Sequence, residues 1–163
     1  MVIETGSNTC PMYVKCVPKM EIFREMCPEV NFLMVYVREA HPGERVKSHE
    51  SLTDKIIEVR KVQKLYNDNR TVLVDSIDGL FHKTYGSHPN MVYVINAEGI
   101  VLFRGDWNNI SKLKKVLNSI NDNKIYTEEH FEPTKPNPAV AIKALTHGGA
   151  IAVWILLKEF LGL

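Results

Sequence analysis

Cys10 stands behind the turn Gly6-Ser7-Asn8-Thr9 and ahead of Pro11. A β-branched run, Val2-Ile3-Glu4-Thr5, leads into the turn, and a helix-forming stretch follows it. The sulfur therefore falls at a helix start, where free backbone N–H groups and the positive end of the helix dipole favour a thiolate. Ser7 and Thr9 can add hydroxyl donors. The expected chemistry is nucleophilic attack by sulfur. Cys16 and Cys27 lack that setting and read as buried, inert thiols. In an unbroken helix Cys16 would lie about 9 Å along the axis from Cys10, beyond disulfide reach. Pro18, however, disfavours helical backbone at Val17 and suits a helix's first turn. An irregular loop over 10–16, with Cys16 resolving Cys10 through a disulfide, stays open on this reading.

Proton donors come next. Glu39 and His41 sit two apart in Arg38-Glu39-Ala40-His41-Pro42, so an extended backbone puts both side chains on one side. His41 can protonate a leaving group or keep Cys10 ionised, with Glu39 orienting it. His49, opening His49-Glu50-Ser51-Leu52-Thr53-Asp54, is a second proton donor. Pro89 is a candidate cis-proline beside the cysteine, placed to present its preceding carbonyl to a substrate. No spacing suits a metal site.

These residues need a frame. Residues 31–37, 71–74 and 91–95 read as buried strands, and 91–95 pairs with 100–103 across a Gly-containing turn as a hairpin. Helical spacing fills 18–26, 51–67, 77–85 and 110–120. The order β-α-β-α-β-α-β-β-α, with right-handed crossovers, predicts a thioredoxin-like three-layer α/β sandwich: a central mixed sheet with helices on both faces. Cys10, Glu39, His41 and Asp75-Ser76 all fall at the carboxyl edge of its parallel strands, where open α/β sheets carry their sites. The chain divides into a redox domain over 1–123, a Pro-rich linker over 124–138 and an apolar C-terminal helix over 139–163. That helix is expected to pack on its own domain or on a second copy as a homodimer, with weak contact to a membrane surface as the rival.

Composition narrows the classes. With 20 basic and 19 acidic side chains among 163 residues, no broad charge footprint for nucleic acid exists. Three cysteines are too few for a disulfide framework and point to a reducing, cytoplasmic setting. No basic leader follows Met1, and the longest uninterrupted apolar run in the tail, 148–157, is too short to span a bilayer.

The segment Gly6-Ser7-Asn8-Thr9-Cys10-Pro11 resembles the Gly-Ser-X-Thr-selenocysteine-Pro segment of the iodothyronine deiodinases. Glu39-Ala40-His41-Pro42 is similar to their Glu-Ala-His-Pro, and His49-Glu50-Ser51-Leu52-Thr53-Asp54 to their His-Gln-Ser-Leu-Glu-Asp. Further on, Val74-Asp75-Ser76-Ile77-Asp78 and Tyr85-Gly86 resemble their Ala-Asp-X-Met-Asp and Tyr-Gly. The resemblance implies a thioredoxin-like fold near the peroxiredoxins, a nucleophile at Cys10, and Glu39, His41 and His49 as the proton supply. It implies attack on the iodine of an iodinated aromatic small molecule, with an external thiol reductant in place of any bound cofactor. Cysteine, a weaker nucleophile toward halogen, here replaces the family's selenocysteine. A peroxiredoxin-like thiol peroxidase is the rival: Ser7 fills its hydroxyl position, Ile3 stands where its proline should be, and Arg104 is the arginine to test. A catalytically silent redoxin-fold binding module is the third reading.

Overall fold

The computed structural model describes residues 1–86, 88–119 and 138–161, so the expected linker lies outside the described residues except for Pro138. Five strands form one sheet in the order β3-β2-β1-β4-β5. They are β1 (Val2–Gly6), β2 (Phe32–Tyr36), β3 (Thr71–Val74), β4 (Val92–Ile95) and β5 (Val101–Gly105). The first three run parallel, with Val2 level with Phe32 and Leu33 level with Thr71. β4 is antiparallel to β1, and β5 to β4, closing the expected hairpin.

Strand periodicity decides what each face does. Val2, Phe32, Met34, Tyr36, Val92, Val94 and Phe103 are buried against helices α1 (Pro11–Met26), α2 (Leu52–Tyr66) and α4 (Ile110–Asn118). The opposite face carries the short α3 (Leu80–Tyr85), which borders apolar hollows lined by Ile3, Tyr93, Val35 and Leu73. Both faces hold helices, as expected, but unequally.

Two helices differ from expectation. α1 starts at Pro11, not Pro18, and runs through Pro18 unbroken. The ring removes one helical bond, yet Val14, Val17 and Met20 on either side are buried and hold the helix in place. The irregular loop over 10–16 therefore does not form. At the other end, the single apolar helix expected over 139–163 is two, α5 (Pro138–Gly148) and α6 (Ala150–Leu161). The break is Gly149, at φ +102°, a backbone conformation that side chains disfavour. Glu44 caps the restart by accepting from the amides of Ala150 (2.5 Å) and Ile151 (2.9 Å). α5 lies on α1, with Ala144 buried among Cys10, Tyr13 and Val17. Among the described residues no helix is long and apolar enough to cross a membrane.

Candidate active site

β1 ends at Gly6, and the next four residues carry the chain to Cys10, the N-cap of α1. The Cys10 amide donates to the Ser7 carbonyl at 3.2 Å, and its carbonyl accepts the first helical bond from Val14 at 3.1 Å. The amides of Tyr13 and Met12 favour the thiolate, as the sequence suggested. Burial outweighs them: the thiol is 2% exposed, and its pKa is pushed from 9.0 to about 12. Propensity at a helix start could not show that α5 would cover the sulfur.

Glu39 fixes this turn. Its carboxylate accepts from the Thr9 amide (2.9 Å), the Thr9 hydroxyl (2.6 Å) and the Asn8 amide (3.4 Å). The Tyr36 hydroxyl donates to the same carboxylate oxygen as the Asn8 amide. The Thr9 hydroxyl in turn accepts from the His41 amide at 3.0 Å, and the Ser7 hydroxyl accepts from the Ala40 amide at 3.2 Å. The segment after β2 and the turn after β1 are thus laced together, side chain to backbone, in both directions. The structure gives Glu39 a role the sequence did not reveal, that of holding Thr9, the residue before Cys10.

His49 reaches the same group by another route. Its ring meets the Tyr36 ring edge-on, with centroids 5.7 Å apart. Burial lowers its pKa, with the Glu39 charge working in the opposite direction. Hydrogen bonds run from Tyr36 through Glu39 to Thr9, the residue preceding Cys10, and His49 adjoins them through its ring contact with Tyr36. Glu39, His49 and Pro89 also line one cleft of about 490 Å³. Half-buried His41 enters the site through its main chain, its carbonyl facing the α5 terminus at Gly148.

Other expectations need correction. Among the described residues no peptide bond is cis, so Pro89 is trans; its carbonyl accepts from the Thr5 hydroxyl at 3.4 Å. Cys16 is fully buried in the continuous α1, donates to the Asn108 carbonyl at 3.5 Å, and belongs to a different part of the core from Cys10. A Cys10–Cys16 disulfide would require the first turns of α1 to unwind. Arg104 lies on the outer strand β5, borders the hollow shared by Ile3 and Tyr93, and pairs with Asp106 at 3.3 Å. The structure does not bring it to Cys10. Asp75 spends its carboxylate on the amides of Phe81 (2.9 Å) and His82 (3.1 Å) at the start of α3.

Two groups were missed. Tyr36 read as one more apolar strand residue, though a tyrosine at the carboxyl end of a buried strand is a signal that its hydroxyl serves the edge. Asn8 has the sequence setting of a turn residue; its side-chain amide donates to Glu58 at 2.6 Å, and the Tyr66 hydroxyl donates to its backbone carbonyl at 3.1 Å. Replacing Tyr36→Phe leaves Glu39 short of one buried donor and should cost about 1–3 kcal/mol. Urea unfolding of the variant checks this, and an unchanged midpoint would refute the linkage.

Comparison with known proteins closes the question of kinship. The family model described as iodothyronine deiodinase matches residues 1–121. The chain belongs to the iodothyronine deiodinase family. It is 25% identical over 118 residues to the thyroxine 5-deiodinase of Ovis aries, covering 64% of this chain and 39% of that protein. The type II iodothyronine deiodinase of Aquarana catesbeiana is also 25% identical over 118 residues, covering 64% of this chain and 45% of its own length. The mouse thyroxine 5-deiodinase match extends over 147 residues at 25% identity, 80% of this chain and 47% of that one. The chain thus spans less than half the length of these curated deiodinases.

Among solved structures, a secreted Mycobacterium tuberculosis disulfide oxidoreductase homologous to E. coli DsbE aligns with TM-score 0.55 at 16% identity, over 72% of this chain and 79% of its own. A putative thiol:disulfide interchange protein DsbE from Chlorobium tepidum gives 0.56 at 14% identity, over 75% and 77%. The fold is thioredoxin-like. The family match takes in every residue of the deiodinase-like site and ends before α5, which packs on α1 and shares the buried cluster of Cys10, and before α6.

Proposed function

We propose that this chain is a thiol-dependent oxidoreductase of deiodinase type, with Cys10 as its nucleophile and iodinated aromatics as its substrates. The observation that carries the reading is Cys10 at the head of α1, inside the family-matched region, with the Glu39–Tyr36–His49 path ending on its neighbour. The Cys10 thiolate attacks iodine, forming an S–I bond while the C–I bond breaks. The electron pair stays on the ring carbon, which takes a proton supplied by His49 or His41. An external thiol then displaces iodide from sulfur to give a mixed disulfide, and a second thiol releases Cys10. One aryl iodide becomes an aryl hydrogen, and two thiols become a disulfide.

Iodide release from thyroxine with dithiothreitol as reductant tests the reading. Cys10→Ser is expected to fall to the rate of dithiothreitol alone, and full retention of activity would refute it. Hydrogen peroxide in place of thyroxine separates the peroxidase, which the position of Arg104 does not favour. One observation supports the silent binding module, namely the burial of Cys10. That reading gains if no variant that loosens α5 or α6 makes Cys10 reactive.

A further inference from the structure

α5 and α6 follow the residues matched by the family model, 1–121, so kinship assigns them no task. α6 packs on α5, yet over 150–157, where every residue is apolar, Ala152 alone is buried. Ile151, Trp154 and Leu157 are 52%, 56% and 46% exposed. At about 100° per residue, Ile151, Trp154, Ile155 and Lys158 fall along one side of the helix and Leu157 on another. Apolar surface therefore reaches solvent on more than one side, the pattern of a helix that is surrounded rather than resting on a single neighbour. The Lys158 ammonium sits 5.7 Å from the centroid of the Trp154 ring. A lysine folded along a tryptophan in this way keeps its charge at a polar boundary while the ring stays in apolar surroundings.

Positive charge is in excess around the helix pair. α5 and α6 carry Lys143 and Lys158 against Glu159. Arg45, Lys61 and Lys64 border a hollow shared with His147 of α5, with Glu58 as its carboxylate, and Glu44 caps α6. With all three carboxylates counted as ionised, the five cations still outnumber them. At 12 residues α6 is about 18 Å long, short of the ~30 Å hydrocarbon core of a bilayer, so it can lie in a membrane surface but not cross it. We propose that α6 is a membrane-surface contact. It lies at the boundary between headgroups and acyl chains of a bilayer that contains anionic lipid, with Lys158 and its cationic neighbours at the phosphates. A second copy seated on α6 would cover one side only and would set the same cation excess against itself. Anionic lipid covers every side and neutralises that excess. The contact does not depend on what Cys10 does.

Flotation of the full chain with vesicles of phosphatidylcholine and phosphatidylglycerol, mixed about three to one, tests the contact. The chain should float with them, and brominated acyl chains should quench its fluorescence. Trp154→Phe should lose the quenching while still floating, because the remaining tryptophan, Trp107, packs against the buried cluster of Cys10. Ile151→Ser combined with Leu157→Ser, both at exposed positions, should weaken vesicle binding at least about tenfold with an unchanged circular dichroism spectrum. Lys158→Gln should weaken it about fivefold, and pure phosphatidylcholine should bind more weakly than the mixture. Failure to float, flotation without quenching by brominated chains, or flotation unaffected by the paired serine substitutions would overturn the proposal. So would a dimer, seen by sedimentation without lipid, that the same pair dissociates, since the exposed stripe would then be a contact between copies. None of these readouts depends on iodide release.

Discussion

Cys10 in the folded chain should react with iodoacetamide at pH 7.5 about a thousandfold more slowly than a free thiol. The figure follows from the thiolate fraction, since burial lifts the pKa from 9.0 to about 12. Steric closure by α5 slows it further. Cys27, at the C-cap of α1 and only partly buried, serves as the internal control and should be labelled first in a mass-spectrometric time course. The clasp that holds the cover is local. Glu44 caps α6, Arg45 donates its amide to the Gly148 carbonyl at 3.1 Å, and a Cβ on Gly43 would come within 2.2 Å of that same oxygen. Glu44→Ala removes that helix cap. If the sulfur is reached by lifting α5 and α6, labelling should accelerate in this variant while that of Cys27 stays unchanged. Labelling at the free-thiol rate in the unaltered chain would contradict the burial. The pH dependence has a definite sign. Because the folded state holds the Cys10 proton more tightly than the unfolded chain, its contribution is whole below pH 9.0 and is lost as the pH rises toward 12. Cys10→Ala should flatten that part of the alkaline stability profile.

The same burial shows where sequence reading succeeds and where it stops. Strand runs such as 31–37 and the Gly turn at 96–99 specify pairing through local pattern alone, and the sheet follows from them. The cysteine loop, Glu39 and His49 were legible because two parallel strand ends and a helix start must meet at one edge. Cover was not legible. Nothing near Cys10 in sequence announces that Ala144, more than 130 residues on, will seal it. Pro18 misled for a related reason: its local preference for a helix start is real, but burial on both sides outweighed it. In sequence Glu39 stands out only through its neighbour His41, whereas its bonds to Asn8 and Thr9 join residues 31 and 30 apart. Charged residues in particular were invisible as core, because isolated charges normally stay wet.

Arg70 is the clearest such case and carries the second large effect. It is 1% exposed and lies at the end of the loop between α2 and β3. Its guanidinium donates to Glu4 of β1 at 2.6 Å and to both oxygens of Asp68 at 2.8 and 2.7 Å. Tyr13 of α1 donates to Asp68 at 2.7 Å, while Asn90 and Asn108 donate to Glu4 at 2.9 and 2.6 Å. One cation thus joins two carboxylates that also accept hydrogen bonds from α1 and from the segments flanking β4 and β5. Arg70→Met keeps the volume and strands two buried negative charges. The expected loss is about 3–5 kcal/mol, a large share of the roughly 5–15 kcal/mol that holds an ordinary domain together. Urea unfolding at pH 7 measures it, and a change below about 1 kcal/mol, the scale of an exposed pair, would refute the brace. Acid supplies a second readout with the opposite sign in the two proteins. Burial raises the Asp68 pKa, but the Arg70 bonds outweigh it and hold it below 3.8, so in the parent chain its contribution disappears as the pH falls through the folded value. In Arg70→Met the Asp68 carboxylate is uncompensated, and protonating it relieves the strain. The stability gap between the two proteins should therefore narrow between pH 7 and pH 4. A merely misfitted methionine would keep the gap constant with pH.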